Sequence, residues 1–196
     1  RPWKSSQQKI GGDTSGICNI DALCRSGDPF ISETFGPILD FYDNQIRSVA
    51  AYTISGTDTC SGALINNTSN DQRGFFLTAD HCEITTSNDS SVVFYFNFQN
   101  SYCRPRGTPE NAGVADGNLT QFSSGCDFRA TNPNSDFCLV ELDDPIPASY
   151  DVYFAGWDRS GIAATTTVGI HHPAVAEKRI SVDMDTLVSD GNYWKV

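Results

Sequence analysis

From residue 47 onward the chain is built of short apolar runs separated by turn clusters. "RSVAAYTIS", "CSGALINN", "GFFLTADHC" and "SVVFYFNFQ" follow one another, parted by "GTDT", "TSNDQR" and "TTSNDS". Runs of this length suit strands and are too short for a helical period, while Gly, Asn, Asp and Ser reverse the chain between them. The pattern predicts antiparallel β-structure. A second set, "DFCLVELDDPIP", "DVYFAGWD" and "TTTVGIHHP", follows a Gly-, Pro- and Asn-rich stretch from 104 to 127. No long helical period and no fixed-spacing repeat occurs, so the expected fold class is all-β with little helix. A boundary between two β units falls near residues 143 to 152. Residues 1–16, "RPWKSSQQKIGGDTSG", read as a flexible arm or propeptide remnant, 17–146 as an N-terminal β unit and 147–196 as the first part of a second unit.

Composition narrows the function. With 39% hydrophobic residues in 196, the chain can bury a core, and 24 acidic against 13 basic residues leave a formal charge of −11. A phosphate backbone needs a basic face, so nucleic acid is not an expected partner. Runs such as "VVFYF" (92–96) fall far short of the roughly 18 apolar residues that span a bilayer, and no membrane role is expected. Seven cysteines without a CxxC pair point to an oxidising, extracellular compartment rather than to zinc, and an odd count leaves one thiol over. The first residues carry neither an initiator Met nor an apolar signal core, the expected look of a chain cut from a longer precursor or zymogen.

Two stretches carry chemistry. In "GFFLTADHC" (74–82), His81 stands at the end of a strand-like run, between Asp80 and Cys82. A disulfide at Cys82 would fix the backbone that presents the imidazole, as a general base requires. In "NSDFCLVEL" (134–142), Asp136 opens an alternating strand. A carboxylate there can accept the Nδ1 proton of a histidine, fix its tautomer and stabilise the imidazolium formed during proton transfer. Each also has a plainer reading: a histidine hydrogen-bonded near a core, and an aspartate that starts a turn. His171 and His172 do not make a metal pair on sequence grounds, since neighbours on a strand point to opposite faces. Trp157 reads as a core residue. The sequons at Asn66, Asn67, Asn88 and Asn118 matter only in a eukaryotic secretory route.

Together these stretches resemble a family. "LTADHC" is similar to the histidine motif of chymotrypsin-like serine peptidases and "SDFCLVEL" to their aspartate motif, in the expected order. Within that superfamily the chain resembles bacterial secreted lysyl endopeptidases through "SGICNIDALC" (15–24), "INNTSNDQRGFFLTADHC" (65–82), "FNFQNSYC" (96–103), "FAGWDRS" (154–160) and "IHHPAVAEKRIS" (170–181). The resemblance implies a pair of six-stranded β-barrels, the second incomplete here, with peptide or protein substrates and no cofactor or metal. It implies His81 as general base and Asp136 as its orienting acid. The nucleophile must follow Asp136 in a Gly-rich turn, yet none of Ser149, Ser160, Ser181 and Ser189 has a glycine two positions before it. The expectation is therefore that the serine lies outside these residues, and that this chain alone is inactive. Lysine specificity is implied by the relationship alone.

The resemblance also implies disulfides Cys60–Cys82 and Cys24–Cys103. It leaves Cys18 to a cysteine of a complementary C-terminal fragment, and Cys126 with Cys138 as an additional bridge. The alternative to the peptidase is a non-catalytic binding protein that keeps the barrel and lacks the nucleophile.

Overall fold

The structure, a computed structural model, describes residues 19–28, 36–105, 108, 116–173, 176–191 and 193–195. Its strands are β1 (Ile20–Asp21), β2 (Val49–Ile54), β3 (Asp58–Leu64), β4 (Phe75–Thr78), β5 (Val93–Phe96), β6 (Phe122–Ser124), β7 (Cys126–Asn132), β8 (Phe137–Leu142), β9 (Thr167–His171), β10 (Arg179–Asp183), β11 (Val188–Asp190) and β12 (Tyr193–Lys195). Every strand pair is antiparallel. Among the described residues helix is confined to α1 (Gly36–Leu39), α2 (Asp43–Ser48) and 3-10 turns. One face of α1 and α2 carries Leu39 and Ile46 into a small core with Ile20, Ala22 and Ile180. Among the described residues no helix is long and apolar enough to cross a membrane.

The large sheet runs β6-β5-β2-β3-β4-β8-β7, and its two edges are neighbours in the chain. β6 and β7 are halves of one stretch, Phe122 to Asn132, bent at Gly125, whose φ is +80°. Gly125 donates its N–H to Val92 O at 2.8 Å on the β5 side and accepts from Asp143 N at 3.3 Å on the β8 side. The bend thus hands the strand from one neighbour to the other and closes the sheet into a barrel, which leaves no long free edge. Six strands close it once β6 and β7 are taken as one.

β2 is buried along its whole length, which explains why "VAAYTI" does not alternate. Ala50, Tyr52 and Ile54 face the barrel core; Ala51 packs outward with Tyr95 and Phe98. Inside, Tyr52, Phe76 and Phe94 meet edge to face or tilted, with centroids 4.8–5.8 Å apart. The Tyr52 hydroxyl finds Thr78 Oγ1 at 2.8 Å, so the buried phenol keeps a partner. Gly62 admits this packing: a Cβ there would lie 2.4 Å from the Phe76 ring and 2.6 Å from Leu77 O. Along β8 the burial alternates, with Cys138, Val140 and Leu142 inward.

Outside the barrel, β1, β10 and β9 form a three-stranded sheet, and β11 with β12 a hairpin. The architecture is all-β, a chymotrypsin-like double barrel whose second barrel is incomplete in these residues. Three readings of the sequence need correction. "DVYFAGWD" makes no strand beyond a bridge of Ala155 to Ile65; its apolar residues Val152 and Phe154 pack against the barrel instead. The stretch from 104 to 127, taken as punctuation, contains β6 and begins β7. Trp157 is not core: it is 55% exposed, and its ring N–H donates to Asn66 O at 3.1 Å.

Candidate active site

The pairing of β4 with β8 builds the site. Thr78 lies opposite Cys138, so the end of one strand and the start of the other share one end of the barrel. His81 comes three residues after Thr78 and Asp136 two before Cys138. His81 sits on a 3-10 turn, Asp80–Cys82, whose last residue is bonded to Cys60 on β3. Glu83 closes the turn with a left-handed backbone, φ +62°, and donates its N–H to Asp80 O at 2.9 Å. Asn88 braces the loop beyond: Thr85 N–H reaches its Oδ1 at 2.7 Å, and its Nδ2 donates to Glu83 O at 2.9 Å.

Asp136 ends the turn between β7 and β8 with φ +48°, a conformation that Asp tolerates better than most residues. Its carboxylate takes two bonds from one residue: the His81 backbone N–H reaches Oδ1 at 3.0 Å, and His81 Nδ1 lies 2.7 Å from Oδ2. These bonds, the backbone one foremost, hold the Asp136 carboxyl below the usual carboxylate range. An ionised carboxylate only accepts, so Nδ1 carries the proton and Nε2 offers its lone pair. The imidazole is open, with 71% of the side chain exposed. Among the described residues no hydroxyl bonds the ring. Behind it, the Thr131 hydroxyl of β7 donates to the Asp80 carboxylate. Neither Thr131 nor the brace by Asn88 is signalled by sequence pattern, because both depend on which loops the barrel brings together.

Beside the imidazole lies a cavity of about 390 Å³ lined by Tyr52, Ile54, Thr59, Cys60, His81, Cys82, Glu83 and Asn88. Cys60, His81 and Cys82 present donor atoms within 4.8 Å of one another, but the two sulfurs are bonded to each other and offer no thiolate to a metal. His171 and His172 do not converge either. His172 is buried with its ring stacked on Phe98, centroids 5.6 Å apart, and its Nδ1–H donates to Ala176 O at 3.0 Å.

Cys24 is bonded to Cys103 and Cys60 to Cys82. The expected Cys126–Cys138 bridge is absent: both thiols are free and buried. Register forbids the bond. Cys126 faces Leu142 and Cys138 faces Thr131 across the β7–β8 ladder. Four residues of strand, roughly 13 Å, separate the two levels, whereas a disulfide needs Cα atoms within about 7 Å. Cys18 lies outside the described residues.

A barrel that holds an open imidazole by its Nδ1 on a carboxylate, at the seam of two strand ends, has the construction of the chymotrypsin-like peptidases. The family model of the lysyl endopeptidase C-terminal domain matches residues 12–195, and the chain belongs to that family. A curated relative, the lysyl endopeptidase of Pseudomonas aeruginosa, is 27% identical over 179 residues, which cover 87% of this chain and 35% of the relative. The chain thus spans about a third of the length of that relative.

Proposed function

We propose that the chain carries the base and the orienting acid of a secreted serine endopeptidase that hydrolyses peptide bonds after lysine. The observation that carries this reading is the double grip of Asp136 on His81, through Nδ1 at 2.7 Å and the backbone N–H at 3.0 Å. His81 Nε2 takes the proton of a serine hydroxyl as it attacks the scissile carbonyl, then returns it to the leaving amine; Asp136 stabilises the imidazolium between the two steps. The nucleophile, the oxyanion donors and the lysine pocket come from residues outside these 196, in a complementary C-terminal segment joined through Cys18. Residues 17–146 form the first unit and 147–196 begin the second. The lysine preference rests on the name of the Pseudomonas relative.

The test uses the full-length protein. It should react covalently with a serine-directed fluorophosphonate and cleave lysyl peptides. Asp136→Asn should leave the fold intact, by circular dichroism and melting temperature, yet lower turnover on the order of 10⁴-fold, as loss of the orienting acid does in serine proteases generally. The 196-residue chain by itself should neither react nor cleave. Failure of the folded full-length protein to label would favour the binding-protein alternative.

A further inference from the structure

The cavity beside His81 belongs to no part of the proton relay. Tyr52 and Ile54 of β2 lie buried beneath it, the partly exposed Cys60 end of the Cys60–Cys82 disulfide gives it apolar surface, and Thr59, Asn88 and Glu83 add polar groups. At about 390 Å³ it is large enough for a side chain and within the range of small-ligand sites. Among the described residues Glu83 is the one carboxylate in the lining, and no lysine or arginine lines it. Among the described residues nothing bonds or pairs with the Glu83 carboxylate.

The Glu83 backbone is held firmly where a side-chain-bearing residue is strained. Its φ is +62°, a left-handed conformation that costs a non-glycine residue free energy and persists only under restraint. The restraint is visible: its N–H is bonded to Asp80 O, its carbonyl accepts from Asn88 Nδ2, and its neighbour Cys82 is tied to Cys60. The backbone that carries this carboxylate is thus fixed two residues from His81, at a hollow that the imidazole also lines.

We propose that Glu83 and this hollow form a subsite for a cationic side chain, lysine or arginine, on the leaving-group side of the scissile bond. The inference rests on the peptidase reading. Asp136 occupies Nδ1, so Nε2 must return the proton to the leaving amine, and the departing segment therefore begins against the His81 ring. The hollow opens against that same ring. A long alkyl stem can lie over Thr59 and the Cys60–Cys82 disulfide, the partly exposed wall of the hollow, while its charged end reaches toward Glu83. Glu83 is exposed, so water and salt screen the attraction, and its effect is a preference rather than an absolute requirement.

The experiment measures kcat/KM of the full-length protein on peptides that differ only in the first and second residues after the scissile bond, which carry Lys, Gln or Glu in turn. The wild-type protein should favour Lys over Gln by about fivefold at one of these positions, the size of an exposed ion pair, and should disfavour Glu. Glu83→Gln should remove the Lys-over-Gln ratio, Glu83→Lys should reverse the order of Lys and Glu, and 0.5 M salt should flatten the wild-type ratio. Equal Lys/Gln ratios in wild type and Glu83→Gln would overturn the subsite while leaving the peptidase reading intact. No cleavage of any peptide by the folded wild-type protein would overturn the peptidase reading, and the subsite with it.

Discussion

Cys126 and Cys138 face the barrel interior with no disulfide between them, and burial governs what their thiols can do. Burial, joined by the nearby carboxylates of Asp89 and Asp143, pushes Cys126 up to about 12, and burial raises Cys138 as well. The thiolate is the reactive form, so neither should be alkylated by iodoacetamide in the native protein at pH 8, and both should be modified once it is unfolded in denaturant. Peptide mass mapping of the two samples checks this, and labelling in the native state would show that the barrel opens readily. The same two residues mark the limit of what could be read from the chain. His81 and Asp136 were legible because their chemistry demands those side chains within recognisable local patterns. The pairing of Cys126 and Cys138 was not, since it turns on register within a hairpin whose first strand, "CDFRATN", is mostly polar and gave no strong signal.

At the scale of elements, the bend at Gly125 decides whether β5 and β8 can share a strand. Its φ of +80° is one that Ala adopts poorly, and a Cβ would meet Asp143 Oδ2 at 2.2 Å, although that exposed carboxylate can swing aside. Gly125→Ala should therefore cost about 1–2 kcal/mol, mostly from backbone strain, while Gly125→Asn should recover part of it because Asn accepts the left-handed region. Urea denaturation of the three proteins measures the difference; equal losses for Ala and Asn would assign the cost to crowding instead. The barrel strands were readable from "RSVAAYTIS" to "SVVFYFNFQ" because apolar runs and turn clusters alternate there. "DVYFAGWD" misled because a segment that packs its apolar residues on a barrel wall looks like a strand until its hydrogen bonds are traced.

For the molecule as a whole, two buried bases tie stability to pH. His172, buried, is held down to about 3, chiefly by burial and then by Lys178; Lys178 is lowered by burial to about 7, with its ammonium on Ile46 O at 2.7 Å. Both folded values lie below the unfolded ones, so the unfolded chain binds more protons in each window and stability rises with pH. For His172 the contribution is complete above about 6.5 and is lost as pH falls toward about 3. His172→Phe removes that titration, so the stability advantage of wild type over the variant should shrink between pH 7 and pH 4, by up to about 1.4 kcal/mol per pH unit. Denaturation at both values tests it, and a constant difference would mean that water reaches the imidazole. A further consequence follows from β1, which pairs Ile20 with Ile180. At a synthesis rate of about 5–20 residues per second, its partner is made about 160 residues and roughly 8–30 seconds later. The barrel strands from Val49 to Leu142 can all be synthesised in that interval, and the Cys24–Cys103 bond can form within it. The earliest made of the described strands is then among the last to find its place, tethered beside the barrel while it waits for β10.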